Sequence, residues 1–187
     1  MIGRTELRFV KSAEGVDFYL FRPRPGRWYY TGWDGWAEDR TAHTRSHRVR
    51  MAIEWLEAGY RVYYMAKDDE IVGYVTVARG GGRLRCATRR DIVLGPVYTP
   101  ARFRGKGYAT AGEKAVLHSL EIPYDAAYEY IKKDNAPSLR VAEKCGFTRF
   151  ADGQIRGRLR RVCIAKEGTG THVIVRYVPD RPNKEKD

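Results

Sequence analysis

Short apolar runs rich in aromatic and β-branched residues recur along the chain and mark strands. The first, VDFYLFRP at 16–23, is followed by PRPGRWYYTGWDGW at 23–36, where proline, glycine and three of the four tryptophans crowd into a loop. That loop either lines a substrate pocket or forms a satellite core beneath a long connection. YRVYYMAK at 60–67 and EIVGYVTVA at 70–78 meet at Asp68-Asp69, a hairpin signal. DIVLGPVYTP at 91–100 is a buried strand interrupted by Gly95-Pro96; proline cannot donate to a ladder, so a bulge or splay is expected there. YDAAYEYI at 124–131 is a further strand, and LRRVCIAK at 159–166 and THVIVRYV at 171–178 flank EGTG as a terminal hairpin.

Helical periodicity appears three times. Over 38–58, Val49, Ile53 and Leu56 recur at 3.6-residue spacing with Ala52 and Trp55 beside them, and Gly59 suits the stop. Over 105–120, Ala109, Gly112, Val116 and Leu120 share one face. Over 138–147, Leu139, Ala142 and Cys145 point inward and Gly146 ends the helix. Helices interleave with strands, yet hairpins fall on both sides of the central helices. The pattern predicts a mixed, mostly antiparallel α/β sheet with helices on its faces.

Composition narrows the picture. The 187 residues suit one compact domain, and 43% apolar with 31% charged residues is globular. No run approaches the roughly 18 apolar residues of a membrane span, and MIGRTELRFVKSAEG has no apolar signal core, so no membrane role is expected. Cys86, Cys145 and Cys163 are odd in number and far apart, which argues for reduced thiols and a cytoplasmic protein. Metal chemistry has little support. His43 and His47 are four apart, but Thr44 stands where a zinc protease motif needs glutamate.

Charge changes the picture more. Lys and Arg total 35 against 23 acidic residues, a net charge of +12. Such a surface attracts nucleic acid, phosphorylated ligands or acidic membranes. Three arginine clusters, at 45–50, 83–90 and 156–161, read as solvated faces. The fourth is different. VYTPARFRGKGYAT at 97–110 runs from strand through an arginine- and glycine-rich turn into a helix. A helix start offers unpaired backbone N–H groups and the positive end of the dipole. Gly105 and Gly107 let an anion approach the main chain, while Arg102, Arg104 and Lys106 add charge. Neither the triphosphate-loop nor the dinucleotide glycine pattern is present.

Arg104-x-x-Gly107-x-Ala109, directly after that strand, resembles the pyrophosphate-binding motif of the GNAT superfamily of N-acetyltransferases. Asn135-Ala136-Pro137-Ser138 followed by Glu143-Lys144-Cys145-Gly146-Phe147 resembles the family's second motif, closest to its ribosomal-protein-acetylating branch. The resemblance covers about 60–150. It implies a central splay between two parallel strands that admits the pantetheine arm of acetyl-CoA. It also implies one acetyltransferase domain over 1–178. Within it 1–59 would be substrate-side elements, 60–150 the acetyl-CoA core and 151–178 a C-terminal hairpin, followed by a polar tail at 179–187.

By the same resemblance, Val97 N–H would hold the thioester oxygen, and Val97, Tyr98 and Thr99 the pantetheine amides. Arg104, Gly105, Lys106, Gly107, Tyr108, Ala109 and Thr110 would surround the pyrophosphate, with Arg102 second in rank for the 3′-phosphate. Asn135 would bind pantetheine or a water, and Ser138 would contact the arm or cap its helix. The family's usual tyrosine acid is missing from Leu139-Arg140-Val141-Ala142. Tyr130, Tyr128 or water is left to protonate the leaving thiolate, and Asp91 or Glu129 to act as base; Cys145 reads as core.

The expected reaction is transfer of acetyl from acetyl-CoA to a primary amine on a small molecule or peptide, without a metal. The +12 charge disfavours a polycationic acceptor and suits a neutral or acidic amine, or one presented on the ribosome. The alternative is a basic RNA- or ribosome-binding module with a vestigial acyl-CoA site. An exposed terminal hairpin would also offer an edge to a second copy, making a homodimer.

Overall fold

The computed structural model describes residues 6–180 except Ala58; the tail expected at 179–187 lies outside the described residues from 181 onward. Among the described residues nine strands form one sheet: β1 (Arg8–Ala13), β2 (Val16–Phe21), β3 (Tyr60–Lys67), β4 (Glu70–Arg79), β5 (Ile92–Tyr98), β6 (Ala127–Lys132), β7 (Thr148–Arg156), β8 (Arg161–Ala165) and β9 (His172–Tyr177). Their order is β1-β2-β3-β4-β5-β6-β9-β7-β8. Every pairing is antiparallel except β5 with β6. The helices are α1 (Arg40–His43), α2 (Arg45–Glu57), α3 (Tyr108–Lys114) and α4 (Ala136–Lys144). A π-helical turn, Ala115–Ser119, extends α3.

Alternation along the strands sorts the side chains onto two faces. Phe18, Leu20, Met65, Val75, Val77, Ile92 and Leu94 face one way and pack with Ala115, Val116 and Ala142 beneath α3 and α4. Tyr19, Phe21, Val62, Tyr64 and Tyr74 face the other way and pack with Tyr29, Tyr30, Trp33 and Met51. The Asp68-Asp69 turn forms as expected, both residues having positive φ (50° and 60°), the geometry that matches strand twist in a two-residue hairpin. Helices therefore cover both faces of a mixed, mostly antiparallel sheet.

Two local expectations are corrected and one open alternative is decided. The 38–58 helix is two helices, and its inward face is not Val49, Ile53 and Leu56. Val49 and Leu56 are 51% and 75% exposed, while His47, Met51 and Glu54 are buried. Polar partners within the fold decide the orientation: His47 bonds Tyr29 and Arg50. The tryptophan loop belongs to the core, with Trp33 edge-to-face against Tyr64, Tyr74 and Tyr98. Finally, the terminal hairpin is β7–β8, not β8–β9. The strand at 172–177 instead inserts between β6 and β7, because its buried Ile174 and Val175 need cover on both faces.

Candidate active site

The parallel pair β5–β6 is registered only at Ile92↔Ala127 and Val93↔Tyr128. Beyond that point the strands part. Each stays anchored on its outer side, β5 to β4 as far as Tyr98↔Tyr74 and β6 to β9 as far as Lys132↔His172. Their inner edges thus lack strand partners and present backbone donors and acceptors to the gap.

The parting begins at a bulge. β4 pairs Val77 with Leu94 and Val75 with Val97, so Gly95 and Pro96 together oppose Thr76. Thr76 Oγ1 donates to the Pro96 carbonyl at 2.9 Å, fixing that peptide. The Pro96–Val97 bond is trans, so its N–H points opposite to its C=O. The Val97 amide is therefore aimed away from β4, into the gap.

Two connected clefts occupy the gap. One, of about 430 Å3, passes between the strands and is lined by Gly95, Pro96, Val97, Glu113, Glu129 and Tyr130, with Arg50 and His172 toward the aromatic face. The other, of about 360 Å3, continues under α3 and α4 past Val97, Tyr98, Thr99, Arg104, Ala109 and Asn135. Val97, Glu113, Asn135 and Ser138 line both. Thr99 Oγ1, buried beside the second cleft, has no hydrogen-bond partner.

The basic turn closes the outer end. Gly105 and Gly107 have φ of 77° and 85°, left-handed values that a side chain disfavours. A Cβ at either would meet nothing within 4 Å, so both face open space. Gly107 caps α3, whose first bond joins Ala111 N–H to the Gly107 carbonyl. The amides of Tyr108, Ala109 and Thr110 thus have no partner inside the helix. Arg104 is exposed and held by its Nε bond to the Thr99 carbonyl at 3.1 Å; Lys106 lies over the Phe103 ring. Together these form a concave cationic surface of main-chain donors.

Not every expected residue arrives here. Arg102 is spent on Glu38 (2.9 Å) and Glu70 (2.7 Å), so the 3′-phosphate role expected of it lacks a free guanidinium. Asp91 stands at the opposite end of β5, with its carboxylate accepting from Thr88 N–H, Thr88 Oγ1 and Ala126 N–H at 2.7, 2.8 and 3.0 Å. It ties down the start of the parallel pair and lines neither cleft. Tyr128 is buried against Phe150, away from the gap. Asn135 caps α4, its Oδ1 accepting from Ser138 N–H at 3.3 Å; Ser138 is thus the capped residue and not the cap.

On the aromatic face Tyr130 enters the cleft with the Arg83 guanidinium over its ring at 5.4 Å, and burial holds its phenol neutral. Arg83 is buried, with Nε and Nη1 unpartnered. Arg50 donates to His47 Nδ1 at 2.9 Å, leaving His47 Nε2–H for the Tyr29 oxygen at 2.8 Å. Burial, then Arg50 and Arg83, depress the His47 pKa to about 3, so the ring is neutral. The charge that Arg50 brings to this face could not be placed from sequence, because it depends on which side of α2 turns inward. Among the described residues, no three His, Cys, Asp or Glu side chains gather as metal ligands, and no helix is long and apolar enough to cross a membrane.

The model of the GNAT acetyltransferase domain matches residues 4–148, and the chain belongs to that family. A comparison with curated protein sequences finds no match. Among solved structures, a Bacillus subtilis acetyltransferase in complex with CoA is 12% identical and superposes with a TM-score of 0.59 over 88% of this chain and 99% of that one. A GNAT acetyltransferase from Elizabethkingia anophelis with acetyl-CoA bound is 9% identical, with a TM-score of 0.59 over 89% and 99%. The Escherichia coli ribosomal-protein-S18-alanine N-acetyltransferase is 8% identical, with a TM-score of 0.57 over 91% and 99%. At these identities the likeness is one of fold.

Proposed function

We infer that this chain moves an acetyl group from acetyl-CoA to a primary amine by direct attack of the nitrogen on the thioester. The observation that carries the reading is the continuity of the basic turn, the parted strands and the inward Val97 amide. The open space at Gly105 and Gly107 and the free amides of Tyr108, Ala109 and Thr110 suit a pyrophosphate, with Arg104 and Lys106 adding charge. The inner edge of β5 at Val97 and Tyr98, the orphaned Thr99 hydroxyl beyond it and the side-chain amide of Asn135 suit the amides of the pantetheine arm. Val97 N–H would stabilise the oxygen as it turns negative, a contact worth roughly 3–4 kcal/mol in acyl-transfer sites.

The amine would enter from the aromatic face, where the Tyr130 hydroxyl orients its nitrogen. Arg50, Lys132 and His172 line that entrance and suit a neutral or acidic acceptor over a polycation. A purely nucleic-acid-binding module has no use for a gap through its own sheet, so the enzyme reading is favoured. The test is release of free thiol from acetyl-CoA across a panel of amines, peptides and amino acids. Turnover is expected with at least one neutral or acidic primary amine, and no turnover with any would overturn the reading.

A further inference from the structure

Two carboxyl groups that this reaction scheme has not used stand inside the gap. Glu113 on α3 is 3% exposed and Glu129 on β6 is 5% exposed, yet both line the cleft that passes through the sheet. Glu113 Oε2 and Glu129 Oε1 are buried without a hydrogen-bond partner. Among the described residues neither carboxyl has an ion-pair partner. The polar groups facing the pair come from several elements. Cys145 follows α4, with its thiol 3.6 Å from the Thr110 carbonyl; Lys114 neighbours Glu113; Tyr130 and Lys132 are on β6, Arg50 on α2 and His172 on β9. β5 adds only Leu94, Gly95, Pro96 and Val97.

Such a pair is costly in a purely structural role. Two buried carboxylates side by side cannot both ionise cheaply, so they share a proton. Burial raises Glu129 well above the usual carboxylate range, and the neighbouring Glu113 charge raises it further. Burial also raises Glu113, to about 7, although Cys145 and Glu129 hydrogen bonds oppose the shift. Around neutral pH the pair therefore keeps a shared proton and can take or release another. The Cys145 thiol is pushed up by burial and then by Glu113, and stays protonated.

Acetyl transfer needs a carrier with these properties. The acceptor arrives as an ammonium and must lose a proton before its nitrogen can attack; the sulfur leaves as a thiolate and must gain one. We propose that the Glu113–Glu129 pair is the proton shuttle of the reaction, taking a proton from the ammonium and returning it to the departing sulfur. The proposal rests on the acetyl-transfer reading above. The singly protonated pair accepts one ammonium proton and becomes neutral. The amine nitrogen forms its bond to the thioester carbon, and the C–S bond breaks with its electron pair going to sulfur. The pair gives its extra proton to sulfur, which leaves as thiol. The second proton lost from nitrogen goes to water. The pair returns to its starting state, and the net products are amide, thiol and one proton.

The test uses Glu113→Gln and Glu129→Gln, which keep size and shape. Each is expected to lower kcat about 100-fold, the usual scale for losing a general acid or base. Acetyl-CoA affinity by calorimetry should stay within about twofold, and Glu113→Gln should abolish the fall of kcat/KM on acidifying through pH 7. An independent readout needs no turnover: the infrared carbonyl band of a protonated carboxyl should be present in the unmodified protein at pH 7 and diminished in Glu129→Gln. Variants that keep their rate and pH profile would overturn the shuttle. So would variants that lose affinity and melting temperature together with rate, or an unmodified protein without the band. Failure of the acetyl-transfer reading looks different, because the band persists while no amine is acetylated; that result removes the shuttle along with the reaction.

Discussion

The two sides of the gap are built by different means. On the side of α3 and α4, the contacts offered to a ligand come from the main chain: the Val97 amide, the free edge of β5, and the helix start behind Gly107. On the side of α2, the surface is made of side chains held by one another: Tyr29 tilted against Tyr74, Trp33 edge-on to Tyr74, His47 between Tyr29 and Arg50, and Asp39 accepting from Tyr74 at 2.5 Å. A surface of backbone donors recognises an invariant group such as a phosphate and tolerates change in most side chains. A surface of packed side chains recognises whatever its particular residues permit. On the acetyl-transfer reading, the first side would hold the carrier and the second would select the acceptor.

The sharpest way to break this contrast is to fill the backbone side. At Gly107→Trp the new side chain meets a left-handed φ, which costs an L-residue roughly 1–2 kcal/mol, and an indole placed in the open cradle blocks the anion. Acetyl-CoA affinity measured by calorimetry is expected to fall at least about 100-fold, equivalent to roughly 2.7 kcal/mol, while the circular dichroism spectrum of the protein stays unchanged. Retained affinity would place the pyrophosphate elsewhere and remove the basis for assigning this side to the carrier.

A smaller effect is expected when the side-chain network is titrated. His47 is neutral in the fold with a pKa near 3, below its ordinary value of 6.5. An unfolded chain binds a proton at this ring below pH 6.5, but the folded one does not until about pH 3. Stability is therefore complete above pH 6.5 and lost as pH falls toward 3. At pH 5 the loss from this one ring is about 2 kcal/mol. Urea unfolding of His47→Gln should show a flatter decline between pH 7 and 5 than the unmodified protein. Equal slopes would mean the ring is open to water and the aromatic face less closed than its packing indicates.

What could be read from sequence follows the same division. The cradle was legible because glycine, arginine and a strand-to-helix change are local signals, and Gly95-Pro96 marks the bulge in the chain itself. The orientation of α2 was not. Val49, Ile53 and Leu56 form the more apolar stripe, but His47, Met51 and Glu54 have the partners, and those lie on distant segments. β7 escaped for a related reason. Its sequence TRFADGQIR has no apolar alternation, and the buried Asp152 is accommodated by Lys133 at 2.7 Å and Arg149 at 2.6 Å. Once β7 is overlooked, β8 and β9 look like neighbours. Asp91 illustrates the opposite error, since a carboxylate beside the right strand was placed in the chemistry when three local donors already occupied it.

The mildest change asks whether the two sides act separately. Tyr130 belongs to the acceptor side, yet its strand also carries Glu129, whose side chain faces the carrier side one residue away. Tyr130→Phe removes only the hydroxyl and leaves the ring beneath Arg83. If that hydroxyl orients the amine nitrogen, its loss costs one hydrogen bond, about 1 kcal/mol, and raises the amine KM about fivefold. Acetyl-CoA affinity should not move, because the backbone contacts at Val97 and behind Gly107 remain. A rise in both constants would show that the phenol also holds the gap open, so that carrier and acceptor share one rigid element. A fall in kcat with KM unchanged would instead move Tyr130 from positioning the amine to the proton path itself. The division into a backbone side and a side-chain side would then run through β6, not along the gap.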